Sequence, residues 1–323
     1  MGEENSLRRC SWVPTFVGMT LLDATAGVQS DMIRFLAALI LLICAPAARA
    51  QSAQANAESL LAADRAFAAA AASAPTPADA VAAMFDADIA TSGGPDLIVG
   101  RDAVLALFRA APAWQAGTVT WHPVRGGVSA DGTQGFTYGY LTVSAGDPAR
   151  RDRKYLAYWV RRPEGWRVAA WRQMPLQPGG APTEVQAPLL PAATAAANPA
   201  AVAGHQASLA AAEQAFSDRA QIIGLAAAFR EFGRADAVHL AGGQAAFVTG
   251  ADAIAATVDN GEATSPVRWS TTRALAASSG DLGLSMGIIH RNGPSTDGRP
   301  GSFSFFTIWV RERPDGPWRY IAE

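Results

Sequence analysis

The chain has 323 residues, half of them hydrophobic and 17% charged, with a formal net charge of -2. So much apolar content with so little net charge excludes a chain disordered throughout, and the missing basic field excludes nucleic acid recognised by charge. Two cysteines can build neither a disulfide framework nor a four-cysteine zinc site, and at roughly 100–200 residues per domain the length predicts about two domains.

The first predicted element is the apolar run Phe35 to Cys44, FLAALILLIC. It is too short to cross a bilayer as a helix, which takes about 20 residues. Arg34 precedes it and Ala48-Arg49-Ala50 follows. A charged start, a short apolar middle and an A-x-A end predict a secretory signal peptide over 32–50, cleaved between Ala50 and Gln51. The mature protein is then expected in the periplasm or outside the cell, with no stable membrane insertion. Residues 1–31 carry Trp12, Pro14, Phe16 and the acids Glu3, Glu4, Asp23 and Asp31 in no helical period. Their stretch SWVPTFVGMT resembles translated repeat elements of mis-called bacterial reading frames, so translation is expected to begin at Met32. Peptides from 1–31 in the precursor would refute that start. Cys44 follows a short apolar run as lipobox cysteines do, but Ile43 stands where those have a small residue. Cleavage after Ala50 removes Cys10 and Cys44, and thiol chemistry with them.

The remainder reads as two copies of one unit. Residues 177–204, rich in Pro, Gly and Ala without apolar period, predict a semi-extended linker. It separates a first domain, 55–176, from a second, 205–323. Ala63-Asp64-Arg65-Ala66-Phe67 matches Ala212-Glu213-Gln214-Ala215-Phe216, and Gly100-Arg101-Asp102-Ala103-Val104 matches Gly250-Ala251-Asp252-Ala253-Ile254. Trp121, Trp159 and Trp166 match Trp269, Trp309 and Trp318, all at offsets of 148–152.

Within the first copy an Ala-rich run around Leu60, Leu61, Asp64 and Phe67 predicts a helix, broken by Pro75 and Pro77. A short helix over Ala78–Phe85 follows, then a Gly93-Gly94-Pro95 turn between two extended pieces, then a helix from Arg101 to Ala110. Gly242-Gly243 is the matching turn of the second copy. Alternation then predicts strands over Thr118–Val124, Gly135–Ser144, Lys154–Arg162 and Trp166–Met174, joined antiparallel by short turns at Asp131-Gly132 and Pro163-Glu164-Gly165. The basic run Arg150, Arg151, Arg153 and Lys154 reads as a solvated hairpin loop. Helices followed by a strand meander predict an α+β domain. The strand around Trp159 is apolar on both faces, as is that around Trp309. One face can cover helices and the other needs a second cover, so the two units are expected to pack sheet to sheet as an internal pseudo-dimer.

Asp88-Ile89-Ala90, Gly93-Gly94-Pro95, Gly100 to Val104, Tyr138-Gly139, Tyr155 to Trp159 and Pro163 to Val168 resemble the SnoaL-like branch of the nuclear transport factor 2-like superfamily. Asp236-Ala237-Val238, Gly250 to Ile254, Phe306 to Trp309 and Asp315 to Arg319 resemble it in the second copy. The resemblance implies two cystatin-like cones in tandem, each a curved antiparallel sheet wrapped on helices with an apolar pocket at its open end. Members include isomerases, cyclases, dehydratases and ligand binders, so fold leaves function open. The resemblance puts Asp88 at the end of the second helix, as an acid or as a turn carboxylate, with Asp236 its approximate counterpart. Thr118, Thr120 and His122 share one strand face, and if that face lines the cone His122 is a base or hydrogen-bond donor. Arg268 and Ser270 stand at the matching positions of the second copy, so the first copy alone would hold that site. Tyr138 and Tyr158 are carbonyl-polarising phenols or core residues. Candidate catalytic groups are thus Asp88, His122 and Tyr138, and candidate ligand-binding residues are Thr120, His122, Tyr138, Tyr158, Ser285 and Thr307. Scattered histidines, His205, His239 and His290 among them, predict no metal site, and no dinucleotide or phosphate-loop motif calls for a cofactor. The leading expectation is binding of a small apolar or amphipathic ligand. The alternatives are an isomerase- or dehydratase-type enzyme and a structural or partner-docking protein.

Overall fold

The computed structural model describes residues 52–145, 150–176, 184–192, 195–240, 246–293, 300–313 and 315–323, with backbone alone at 150 and 151. Residues 1–31, the stretch 32–50 expected as a signal peptide and the turn expected at Gly242-Gly243 lie outside these. Helix α1 runs over 52–70, and its buried Ala57, Leu60, Leu61 and Asp64 fall at i, i+3, i+4 and i+7 on one stripe. In α2 (Pro77–Ala82), Pro77 takes the first position, where its missing N–H costs nothing, and Thr76 Oγ1 accepts from Asp79 N at 3.1 Å. Thr76→Ala is expected to cost about 1 kcal/mol, read as a lower urea midpoint at unchanged slope. The helix stops short of the expected Phe85 because Phe85 opens a strand.

Strand β1 (Phe85–Ser92), β2 (Leu97–Val99), α3 (Arg101–Ala110), β3 (Thr118–Val128), β4 (Gln134–Ser144), β5 (Arg150–Arg162) and β6 (Gly165–Pro175) complete the first half. The second comprises α4 (Val202–Ile223), α5 (Leu225–Phe232), β7 (Gly233–His239), β8 (Val248–Thr249), α6 (Ala251–Val258), β9 (Val267–Ala276), β10 (Leu282–Arg291), β11 (Ser302–Val310) and β12 (Arg319–Ala322). The sheet orders are β2-β1-β6-β5-β4-β3 and β8-β7-β12-β11-β10-β9, the same path taken twice. Only β1 with β6 and β7 with β12 pair parallel among these strands, so each sheet is mixed. The architecture is therefore α+β, two units in tandem. Gly100 and Gly250, matched in the repeat, have φ of 97° and 95° immediately before α3 and α6, a conformation open to glycine.

Strand alternation divides the core. Tyr155, Ala157 and Trp159 of β5 turn to the helices of their own half, as do Phe305 and Trp309 of β11. Leu156, Tyr158, Phe306 and Ile308 turn the other way and join Val124, Phe136, Tyr138, Leu284 and Met286 in one cluster drawn from both halves. The second cover expected for each sheet is the other sheet. Polar contacts across this interface are reciprocal: Asp131 Oδ2 accepts from Ser278 Oγ at 2.7 Å and Ser279 N at 2.9 Å, while Asp281 Oδ2 accepts from Ala130 N at 3.0 Å. Such self-matching contacts are what a two-fold relation produces.

Two sequence readings change. Residues 184–192 of the linker lie along the edge strand β3, with Gln186 N donating to Val124 O at 2.7 Å and Leu189 N to Gly126 O at 2.8 Å. The linker thus covers an edge that would otherwise be free to pair with another chain. The basic run is no loop: β5 begins at Arg150. Lys154, the one lysine of the chain, is fully buried at the interface, where its Nζ donates to Ala246 O at 3.0 Å and lies 5.8 Å from the Phe247 ring centroid.

Candidate functional site

One buried acid sits inside each half at the same place in the duplicated frame. Asp64, on the inner stripe of α1, is fully buried. Its Oδ1 accepts from Trp121 Nε1 at 2.7 Å and its Oδ2 from the Tyr155 hydroxyl at 2.9 Å. Trp159 Nε1 donates to Thr137 Oγ1 at 2.9 Å beside it. In the second half Glu213 takes this position on α4. Its Oε1 accepts from Trp269 Nε1 at 2.6 Å, and its Oε2 accepts from Trp309 Nε1 at 2.9 Å and from the Ser285 hydroxyl. Burial raises both carboxyl pKa values, while the donated hydrogen bonds oppose the rise.

The two interiors differ in one respect that matters for ligands. Tyr158 pairs with Ala170 and Ile308 with Ala322, so the next residues, Trp171 and Glu323, are equivalent. In the first half the Trp171 ring stacks on Tyr155, centroids 4.9 Å apart and planes 5° from parallel, and Trp114 packs edge-on to Phe108 at 4.6 Å. The Trp171 and Tyr155 rings thus stand where the second half has Glu323 and Phe305, and the first half has instead a groove of about 310 Å³ beside Phe108, Trp114, Arg153 and Arg172. With Glu323 in place of the indole, the second half keeps a cavity of about 180 Å³. Phe216, Phe229, Trp269, Ile289, Phe305 and Thr307 are among its walls, and Glu213 and Glu323 are its acids. Phe303, 36% exposed, also lines it and marks its mouth. Glu323 Oε1 is buried without a hydrogen-bond partner, with His239 Nε2 at 3.8 Å. Burial first, then the charge of Glu213, pushes the Glu323 carboxyl up to about 8.

The candidates from sequence fall in three places. Asp88 is exposed on β1 and its backbone N donates to Asp86 Oδ1 at 3.1 Å. It is in a strand and not at a helix end, because β1 already begins at Phe85 and pairs with β6 and β2. His122, Tyr138 and Tyr158 lie on the face turned to the other half. His122 is half-buried, its ring centroid 5.8 Å from that of Tyr140, and Thr120 on the same face is exposed. That face does not line the first interior, since Trp121 of the same strand points inward to Asp64. Tyr138 donates its hydroxyl proton to Gln186 Oε1 at 3.1 Å, and Tyr158 donates to Gln134 Oε1. Strands β6 and β5 stand between β1 and β4, so at roughly 4.8 Å per strand Asp88 is about 14 Å from the strand of Tyr138. The three catalytic candidates do not converge. Ser285 and Thr307 both face the second interior, Ser285 as a donor to Glu213 and Thr307 in the cavity wall. Asp236 is occupied by Arg234 at 2.8 Å and by Arg125 at 3.4 Å. Among the described residues, no three His, Cys, Asp or Glu gather where a metal ion could be held.

No protein-family model matches the sequence, and no curated protein matches it. Solved structures do. A protein of unknown function of the DUF3225 family from Pectobacterium atrosepticum aligns at 17% identity and a TM-score of 0.28, over 38% of this chain and 91% of its own. An NTF-2 like protein of unknown function from Shewanella oneidensis aligns at 8% identity and a TM-score of 0.30, over 36% and 96%. NTF2-like and ketosteroid isomerase-like proteins are among these structural neighbours. A ketosteroid isomerase-like protein from Erwinia carotovora atroseptica is among them, at 17% identity and a TM-score of 0.29, over 36% of this chain and 97% of its own.

Proposed function

We propose that this is an exported binding protein whose second half takes up a small, ring-sized apolar molecule carrying one hydrogen-bond acceptor. The observation behind this reading is the apolar cavity of about 180 Å³ with a single unpartnered carboxyl oxygen, that of Glu323. A dry cavity of roughly 150 Å³ admits a benzene-sized guest, so the volume selects molecules of about that size. With its pKa near 8, Glu323 is protonated at neutral pH and offers an O–H to a carbonyl or phenolic oxygen. Export rests on the signal peptide over 32–50. The test is thermal unfolding of the mature protein with p-cresol and cyclohexanone. A ligand at a hundred times its Kd stabilises by about 2.7 kcal/mol, so Tm is expected to rise by several degrees and to keep rising with concentration. Val267→Trp, which fills the cavity from its wall, is expected to abolish the rise. No rise with either compound, or the same rise in the filled variant, refutes the reading.

A second reading, acid–base chemistry on a bound carbonyl compound, has one observation in its favour. Glu213 and Glu323 share the cavity, and burial raises both pKa values, as acid–base catalysts require. Glu323→Gln separates the two readings, since it leaves uptake of p-cresol measurable and removes the proton that catalysis needs.

A further inference from the structure

We propose that a groove at the ends of β7, β11 and β12 binds a small molecule bearing two or more negative charges on phosphate or carboxylate groups. This inference is independent of the apolar cavity. The groove encloses about 580 Å³ and is lined by Arg234, Arg311, Arg313 and Arg319 together with Asp236 and Glu312. Four guanidinium groups against two carboxylates leave an excess of two positive charges. Asp236 is already engaged: it accepts from Arg234 Nε at 2.8 Å and pairs with Arg125 at 3.4 Å, which adds a fifth cation beside the groove.

Arg311 and Arg319 are held by hydrogen bonds to uncharged groups, and Arg313 is only loosely paired; counting Asp315 and Arg125, five guanidinium groups face three carboxylates. Arg311, 8% exposed, donates from Nε to Gly280 O, has Nη2 2.9 Å from His205 Nδ1, and lies 4.3 Å from the Trp318 ring centroid. Arg319 donates from Nη1 to the backbone oxygen of Glu231. Arg313 is exposed and reaches Asp315 only at 3.7 Å. A guanidinium carries five N–H donors, and these bonds use one or two of them. Planar forks held in place with donors to spare match the paired oxygens of phosphate and carboxylate. A ligand with two negative charges balances the lining, and the groove has the volume of an ordinary small-molecule site.

Inorganic pyrophosphate and citrate are the probes, titrated calorimetrically into the mature protein at low salt. At least one is expected to bind with a sub-millimolar Kd that weakens as sodium chloride is added, and the tighter of the two assigns the ligand to phosphate or carboxylate chemistry. The double variant Arg234→Gln, Arg319→Gln is expected to lose at least tenfold in affinity. Glu312→Gln, at an exposed side chain, removes a repelling charge and is expected to tighten binding severalfold, which keeps the test decisive if the double variant fails to fold. Failure of both probes to bind, or binding unchanged in Glu312→Gln, overturns the proposal.

Discussion

Glu213→Leu is expected to destabilise the protein by about 2–4 kcal/mol, because it takes the shared acceptor from buried donors. The carboxylate is the shared acceptor of Trp269 Nε1, Trp309 Nε1 and the Ser285 hydroxyl. A leucine accepts from none of them. Trp309 keeps Ser285 Oγ at 2.9 Å and the Ser285 hydroxyl keeps the longer contact to Thr307 O at 3.4 Å, so the Trp269 N–H loses its acceptor outright and the Ser285 O–H falls back on a weaker one. Each such loss costs about 1–3 kcal/mol, and relief from desolvating the acid offsets part of the sum. Glu213→Gln keeps the volume and one acceptor oxygen but turns an NH2 toward the donors of the other side, so a smaller cost of about 1–3 kcal/mol is expected. The first half supplies its own control. Asp64→Leu strands the Trp121 N–H and the Tyr155 O–H and is expected to cost about as much. Urea unfolding followed by tryptophan fluorescence measures all three, and a cost below about 1 kcal/mol for Glu213→Leu would sink the account.

Much of the fold was legible because the sequence states it twice. The paired tryptophans and the doubled alternation of β5 and β11 gave both units, their sheets and the need for a second cover on each sheet. The acid network was half legible. Asp64 and Glu213 occupy matched positions in apolar helices, but charged residues on helices are ordinarily exposed, and their partners lie 57 and 91 residues away in the first half. No local pattern joins residues so distant. The side of β3 on which His122 falls was readable from Trp121, whose match to Trp269 marks the inner face; the adjacent odd and even positions then point apart. The open interior was not readable. It depends on Glu323 standing where the first copy has Trp171, an equivalence that the match of Trp166 to Trp318 already carries. That the indole packs on Tyr155 while the carboxyl lines a cavity, however, is set by packing among distant strands.

Glu323 is also expected to make stability fall as pH rises. Its carboxyl titrates at 4.5 in an ordinary setting and at about 8 in the folded protein, through burial and then the charge of Glu213, with Arg172 opposing. Between those values the unfolded chain has released a proton that the folded protein keeps, so stability drops by about 1.4 kcal/mol per pH unit. His239 has the opposite slope at lower pH. Burial, then Arg172 and Lys154, brings its pKa from 6.5 to about 4. The unfolded chain therefore takes up a proton that the folded ring refuses, and stability is lost as pH falls through that window. The slopes of Glu323 and His239 cancel from about pH 4.5 to 6.5, and from 6.5 to 8 the Glu323 slope is no longer offset by His239 and by itself removes about 2 kcal/mol. Above pH 8 Lys154 reverses the trend. Burial lowers its pKa from 10.5 to about 8, so the folded amine is neutral where the unfolded one is charged, and stability recovers until the tyrosines of the unfolded chain begin to ionise toward pH 10, which burial resists in the folded protein. The profile is expected to have a minimum near pH 8. Urea midpoints at half-unit steps from pH 5 to 10 trace it, and Glu323→Gln is expected to erase the fall between 6.5 and 8 while leaving the recovery above it. A variant that keeps the fall places the responsible proton on another group, and the neutral Glu323 that the ligand reading relies on goes with it.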